Sequence, residues 1–220
     1  MATRTFASFE KDLAPSVPGC PLPTVIQYVR AAAIEACERT QAYRYQQEDI
    51  PLTPGVHEYS YEVPDQTEVC GVLYAALDGI KIPFVPQEEV HRKYPDWPVT
   101  SSTNRSQPTV VSQFDVDNFV VAPVPDRPTS TTLYQLRMFL ALRPTTTATG
   151  MDQTILDELE RPIIDGALQR LLVLPNKSWT DRQLAQYHAK QFVFKIASHR
   201  AKANLGLGHG SIHVRIPTWA

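Results

Sequence analysis

Residues 163–206 read IIDGALQRLLVLPNKSWTDRQLAQYHAKQFVFKIASHRAKANLG, two helical patterns separated by a short polar turn. The first begins upstream, where Ile155, Leu159, Ile163, Ala167 and Leu171 recur every four residues and form one apolar stripe. Pro162 falls within it and is expected to kink the helix or to lie near its start, because its nitrogen has no proton to donate. The turn PNKSW follows, and Thr180-Asp181 then caps a longer helix predicted over 180–204. Ala185, Ala189, Phe192, Val193 and Ile196 are expected to face inward, with Asn204 and Gly206 ending the helix. So short a connection makes the pair an antiparallel hairpin.

A stripe suited to meet this hairpin lies near the other end of the chain. In TVIQYVRAAAIEACERTQAYRY, residues 24–45, Ile26, Val29, Ala33, Ala36, Cys37 and Thr40 step by three and four, which predicts an amphipathic helix over about 23–45. Thr24 after Pro23 marks its cap region, and Pro15, Pro18, Pro21 and Pro23 keep the approach extended. Ala31, Ala32 and Ala33 suit close packing of another helix.

Between the helical segments the period changes to two. Tyr59, Tyr61 and Val63 alternate with Glu58, Ser60 and Glu62, and the run VCGVLYAALDGIKI ends in Asp78-Gly79, the dipeptide suited to a tight hairpin turn. Residues 86–94 can form one or two helical turns. The polar, proline-bracketed PDWPVTSSTNRSQP, 95–108, reads as an exposed loop. Strands are then expected over 109–114, 119–124 and 132–143, the last with Tyr134, Leu136, Met138, Leu140 and Leu142 on one face and Gln135 and Arg137 on the other. PTTTATGM, 144–151, reads as a linker.

The fold class that follows is α+β: a helical unit drawn from both ends of the chain, an inserted antiparallel β unit and an extended C-terminal arm. Residues 1–48 hold the N-terminal segment and helix, 49–149 the β unit, 150–205 the C-terminal helices and 206–220 the arm.

Composition fits a folded protein, with 43% hydrophobic and 20% charged residues, while 19 Pro against 9 Gly point to many rigid, extended connections. No stretch carries a signal-peptide pattern or eighteen consecutive apolar residues, so no membrane association is expected. Cys20, Cys37 and Cys70 form no CxxC spacing and suit small buried positions in a protein made in a reducing cytoplasm. The net charge of −2 conceals an asymmetry: residues 1–176 carry 14 Lys+Arg against 22 Asp+Glu, and residues 177–220 carry 7 against 1. The basic end is either a solvated face or a surface for an acidic partner.

No GxSxG, GxxxxGK[ST], HExxH or acidic calcium loop occurs, so no catalytic residue, cofactor or metal is assigned. His209 and His213 stand four apart in a glycine-rich segment where that spacing implies no shared face. His188 and His199 read as solvated or subunit-contact histidines, Asp115 with Asp117 as strand-edge acids, and Asp157, Glu158 and Glu160 as charges at a helix start. GLGHG, 206–210, reads as a hinge, not a dinucleotide loop. The basic residues Lys190, Lys195, Arg200 and Lys202 leave a nucleic-acid binder open as an alternative, although four fifths of the chain is acidic.

Taken in order, VPGCPLPTVIQYVRAAAIEACERT, PGVHEYSYEVPDQTEVCGVLYAALDGIKI, VAPVP followed by LYQLRMFLALRPT, and the closing helical hairpin with its GALxRLL helix and the Pro175 and Trp179 of its turn resemble the adaptor, or head-to-tail connector, proteins of tailed bacteriophages. The similarity runs over about residues 8–205. It implies a virion structural protein, not an enzyme, that is made in the host cytoplasm and placed in the neck between head and tail. The partners implied are the portal protein, a tail or nozzle protein, and other copies of itself in a ring of twelve. Genomic DNA would pass through the central channel without sequence recognition. A tail-completion or other connector protein is the nearest alternative.

Contact with portal or a neighbouring subunit is expected from Lys195, Arg200, Lys202, Ile212, Val214, Arg215, Ile216 and Trp219. Ile212, Val214 and Ile216 alternate as one strand face beyond the glycines, and Trp219 suits an interface anchor. Packing of the arm on its own subunit stays open as the other reading.

Overall fold

A computed structural model of the chain describes residues 2–98, 105–113, 115–126 and 133–205. The C-terminal arm, with its hinge and the histidines at 209 and 213, lies outside the described residues.

The chain enters through a three-residue strand β1 (Thr3–Thr5), a 3-10 turn over Phe6–Phe9 and a single helical turn α1 (Glu10–Leu13) before helix α2 (Leu22–Thr40). Pro21 occupies the cap position of α2 in an extended conformation, where its missing N–H costs nothing. The helix stops at Thr40, earlier than the expected 45. There the Thr40 hydroxyl donates back to the Ala36 carbonyl at 2.7 Å and Gln41 turns left-handed at φ 52°. Arg44–Gln46 then leave as strand β2, next to β3 (Ile50–Leu52) and β4 (Glu58–Ser60).

Strand β5 (Thr67–Leu77) turns at Asp78 (φ 49°) and Gly79 (φ 82°) into β6 (Ile80–Lys81), the hairpin that Asp-Gly predicts. Helix α3 (Gln87–Lys93), strands β7 (Val110–Gln113), β8 (Asn118–Ala122) and β9 (Tyr134–Pro144), a short β10 (Gly150–Asp152), and helices α4 (Gln153–Leu171) and α5 (Arg182–Leu205) complete the order.

All strand pairings between named strands are antiparallel. β9 is the centre of a five-stranded sheet, with β5 and then β6 on one side and β2 and β3 in succession on the other. A second sheet has the order β4-β8-β7, and β1 pairs with β10. β10, the partner of β1 in that last pairing, overlaps the end of the stretch read from sequence as a linker.

On β9, Tyr134, Leu136, Met138, Leu140 and Leu142 are buried as the alternation predicts. They join Val29, Ala33 and Ala36 of α2 and Leu159, Ile163 and Leu171 of α4 in one apolar core. The chain is thus α+β, with helices from both sides of the inserted strands packed together. A smaller core, built on Val90, Val110, Val120 and Val124, includes Trp97. The expected exposed loop therefore begins inside the protein: Trp97 is 8% exposed and its indole N–H donates to the Val121 carbonyl at 3.3 Å. Cys20, Cys37 and Cys70 are free thiols, Cys37 fully buried and the other two half-buried.

Candidate interaction surface

The α4–α5 hairpin is fixed by local hydrogen bonds before tertiary packing adds to it. Asp152 caps α4 by accepting from the Thr154 and Ile155 amides, and Asp181 caps α5 by accepting from Gln183 and Leu184 at 2.9 and 3.0 Å. In the intervening turn the Thr180 hydroxyl donates to the Leu174 carbonyl and the Asp181 amide to that of Leu172. Trp179 is half-buried against the main core. Pro162 stands in the middle of α4, not near its start, with its ring buried.

Charge ties the helices together. Asp165, 5% exposed on α4, accepts from Lys195 Nζ at 2.5 Å and is 2.8 Å from Nδ1 of His188, both on α5. Lys202 of α5 reaches Glu158 of α4 at 3.0 Å. Arg170 of α4 pairs with Glu35 of α2, and Arg143 of β9 bridges Glu38 of α2 and Glu68 of β5. Such pairs set the relative register of elements more than they add net stability.

The predicted contact residues divide accordingly. Lys195 and Lys202 are engaged within the subunit, which sequence spacing could not show. Arg200 is exposed and makes no ion pair among the described residues. Ile212, Val214, Arg215, Ile216 and Trp219 lie outside the described residues. Of the expected inward row on α5, Ala185, Phe192 and Ile196 are buried, Ala189 is half-buried, and Val193 is 51% exposed.

What sequence reasoning missed is the outward row. Phe194 is 72% and Tyr187 56% exposed, seven residues apart and so on one line of the helix opposite Phe192. Large exposed aromatics on one line mark a contact surface more readily than solitary ones do. The available signal was the run QFVF, 191–194, in which a helix cannot bury Phe192, Val193 and Phe194 on one face. At the turn end of the hairpin a groove of about 560 Å³ opens between Tyr28, Arg170, Val173, Arg182 and Gln186.

Among the described residues, no three His, Cys, Asp or Glu side chains gather as metal ligands would. No helix there is long and apolar enough to cross a membrane. The surface of α5 offers apolar contact and charge. Compared with known families, the chain matches the model described as SU10 adaptor protein over residues 4–207. No curated protein matches it.

Proposed function

The chain belongs to the SU10 adaptor protein family, and from that premise we propose that it is the subunit of a ring that links portal to tail and continues the DNA channel. Membership of the family makes the protein a bacteriophage adaptor and a structural component of the virion. The match over residues 4–207 carries the reading, because it takes in both helical segments and every strand between them.

Physical support comes from the asymmetry of the surface. A ring subunit needs two unlike flanks that complement each other head to tail. Here a basic, aromatic helix and an acidic β body are parts of one chain. The protein acts in this reading by contact alone, without turnover or metal, and DNA passes it without being read. The C-terminal arm, residues 206–220, together with Arg200 of α5, is proposed as a contact to portal or to the next subunit.

The test is co-sedimentation of the full chain with purified portal across a salt series, set beside duplex DNA of random sequence. Retention by portal that survives physiological salt supports the adaptor reading. Retention only by DNA, lost steeply as salt rises, would replace it with nucleic-acid binding.

A further inference from the structure

We propose that the outer face of α5 docks onto the β7–β8 tip of an adjacent copy of this chain, an inference that rests on the adaptor reading. The first half of the contact is the exposed sector of α5: Tyr187 and Phe194 on one line, Lys190 beside them, and Val193 with Arg200, seven residues apart, on a second line at its edge. From Arg182 to Leu205 there is no Asp or Glu. Because Lys195 and Lys202 are neutralised by Asp165 and Glu158, Arg182, Lys190 and Arg200 are the exposed α5 cations left without an ion pair among the described residues. The result is an apolar row edged by positive charge.

The complementary half belongs to the three-stranded sheet. Its β7–β8 turn presents Val116, 40% exposed, next to Asp117. The Tyr61 amide donates to the Asp117 carbonyl at 2.8 Å, which extends the β4–β8 pairing by one residue, so that Glu62 follows directly after the contact with the turn. Asp115 is occupied in holding the turn, accepting from the amides of Asp117 and Asn118 at 2.8 and 2.7 Å. Glu62 and Asp117 are exposed, with no ion pair among the described residues. This tip is an apolar side chain edged by negative charge.

The two halves cannot meet within one subunit by the packing observed, since α5 lies on α4 and α2 while β7 lies on β8 and α3. Each copy offers one of each, so a contact between them is heterologous and propagates head to tail until rotation closes it. Opposite charges steer and register such a contact, and the aromatic pair supplies the area removed from water. A partner other than a second copy would account for one half and leave the other unexplained.

The experiment uses two charge-reversed full-length chains, Lys190→Glu with Arg200→Glu, and Glu62→Lys with Asp117→Lys. All four positions are exposed, so both are expected to melt as wild type. Sedimentation velocity is run on each alone, on the equimolar mixture and on wild type, with and without portal. Either variant alone is expected to need a roughly tenfold or higher concentration to self-associate. The mixture is expected to regain the wild-type species, because an alternating arrangement places opposite charges at every junction. Phe194→Ser, with its charges intact, is expected to weaken association with no rescue by either partner.

Variants that assemble like wild type, a mixture that does not recover, or a wild type that stays monomeric even on portal would overturn the contact. Loss of DNA retention by the α5 variant with unchanged self-association would assign this face to nucleic acid and overturn it too. Portal binding by non-associating chains would reject the contact while the adaptor reading stands, and absence of portal binding by wild type would reject that reading itself.

Discussion

Gly166 lies in the interior of α4, where glycine is about 1 kcal/mol less favourable than alanine. A Cβ placed there would be 2.9 Å from the Cβ of Ala32 on α2 and 2.9 Å from the ring of Phe192 on α5, so the residue sits where three helices approach closely. Gly166→Ala is therefore expected to lower stability by about 1–3 kcal/mol despite its better helix propensity, because the added methyl overpacks the junction. A denaturant melt with an unchanged or raised midpoint would contradict this. The sequence displayed Gly166 within GALQRLL, but only the neighbours from distant segments give its reason.

His199 is half-buried on α5, its Nδ1 has no hydrogen-bond partner, and burial holds its pKa below the ordinary 6.5. Glu158 raises it and Lys202 lowers it, but desolvation is the largest effect. The unfolded chain binds this proton more readily than the folded chain, so this contribution to stability is present above about 6.5 and is lost as pH falls below that value and through the lower folded pKa. His199→Gln is expected to flatten the pH dependence of the melting temperature between about 7 and 5. An identical slope in both proteins would show that the charge on His199 is solvated in the folded state.

At the scale of elements, the strongest periodic segments were legible and the short ones were not. α2, β9, the Asp78-Gly79 hairpin and the α4–α5 pair follow from apolar spacing, caps and turn chemistry that local sequence carries. β1 and β10, three residues each, are specified by pairing between distant segments, and a run of threonines has no period to show it. The burial of Trp97 was hidden in the same way, by prolines and polar neighbours that suggested solvent. Leu171 is fully buried at the end of α4, so Leu171→Asp is expected to cost on the order of 3–5 kcal/mol and to loosen α2 as well as the hairpin. Wild-type thermal stability in that variant would place the residue outside the core.

The C-terminal arm, residues 206–220, is proposed as a contact from its sequence, in which glycines at 206, 208 and 210 precede the alternating Ile212, Val214 and Ile216. Deleting 207–220 is expected to leave the melting temperature unchanged and to abolish portal binding. Intact binding would remove the arm from the contact. Loss of both stability and binding would instead assign the arm to its own subunit's core.

For the whole molecule, the charge asymmetry visible in the sequence persists on the surface but is redistributed by folding. Lys195 and Lys202 pair with acids of α4, and Arg182, Lys190 and Arg200 are the exposed α5 cations left without an ion pair among the described residues, Lys190 beside the two aromatics. Half of the proposed contact was thus foreseeable from composition; the pairing of the other cations needed the register of α4 against α5. The proposed role depends on assembly, with the two unlike surfaces used as copies join head to tail on a portal. The most direct measurement is the native mass of the full chain alone, of portal alone and of the two combined. The expected result is a chain of 24.7 kDa or small oligomers alone, and a discrete portal complex heavier by an integral ring of subunits. A combined sample that shows only unassociated portal and free chain, or a heterogeneous, salt-sensitive mass that requires DNA, would contradict the account.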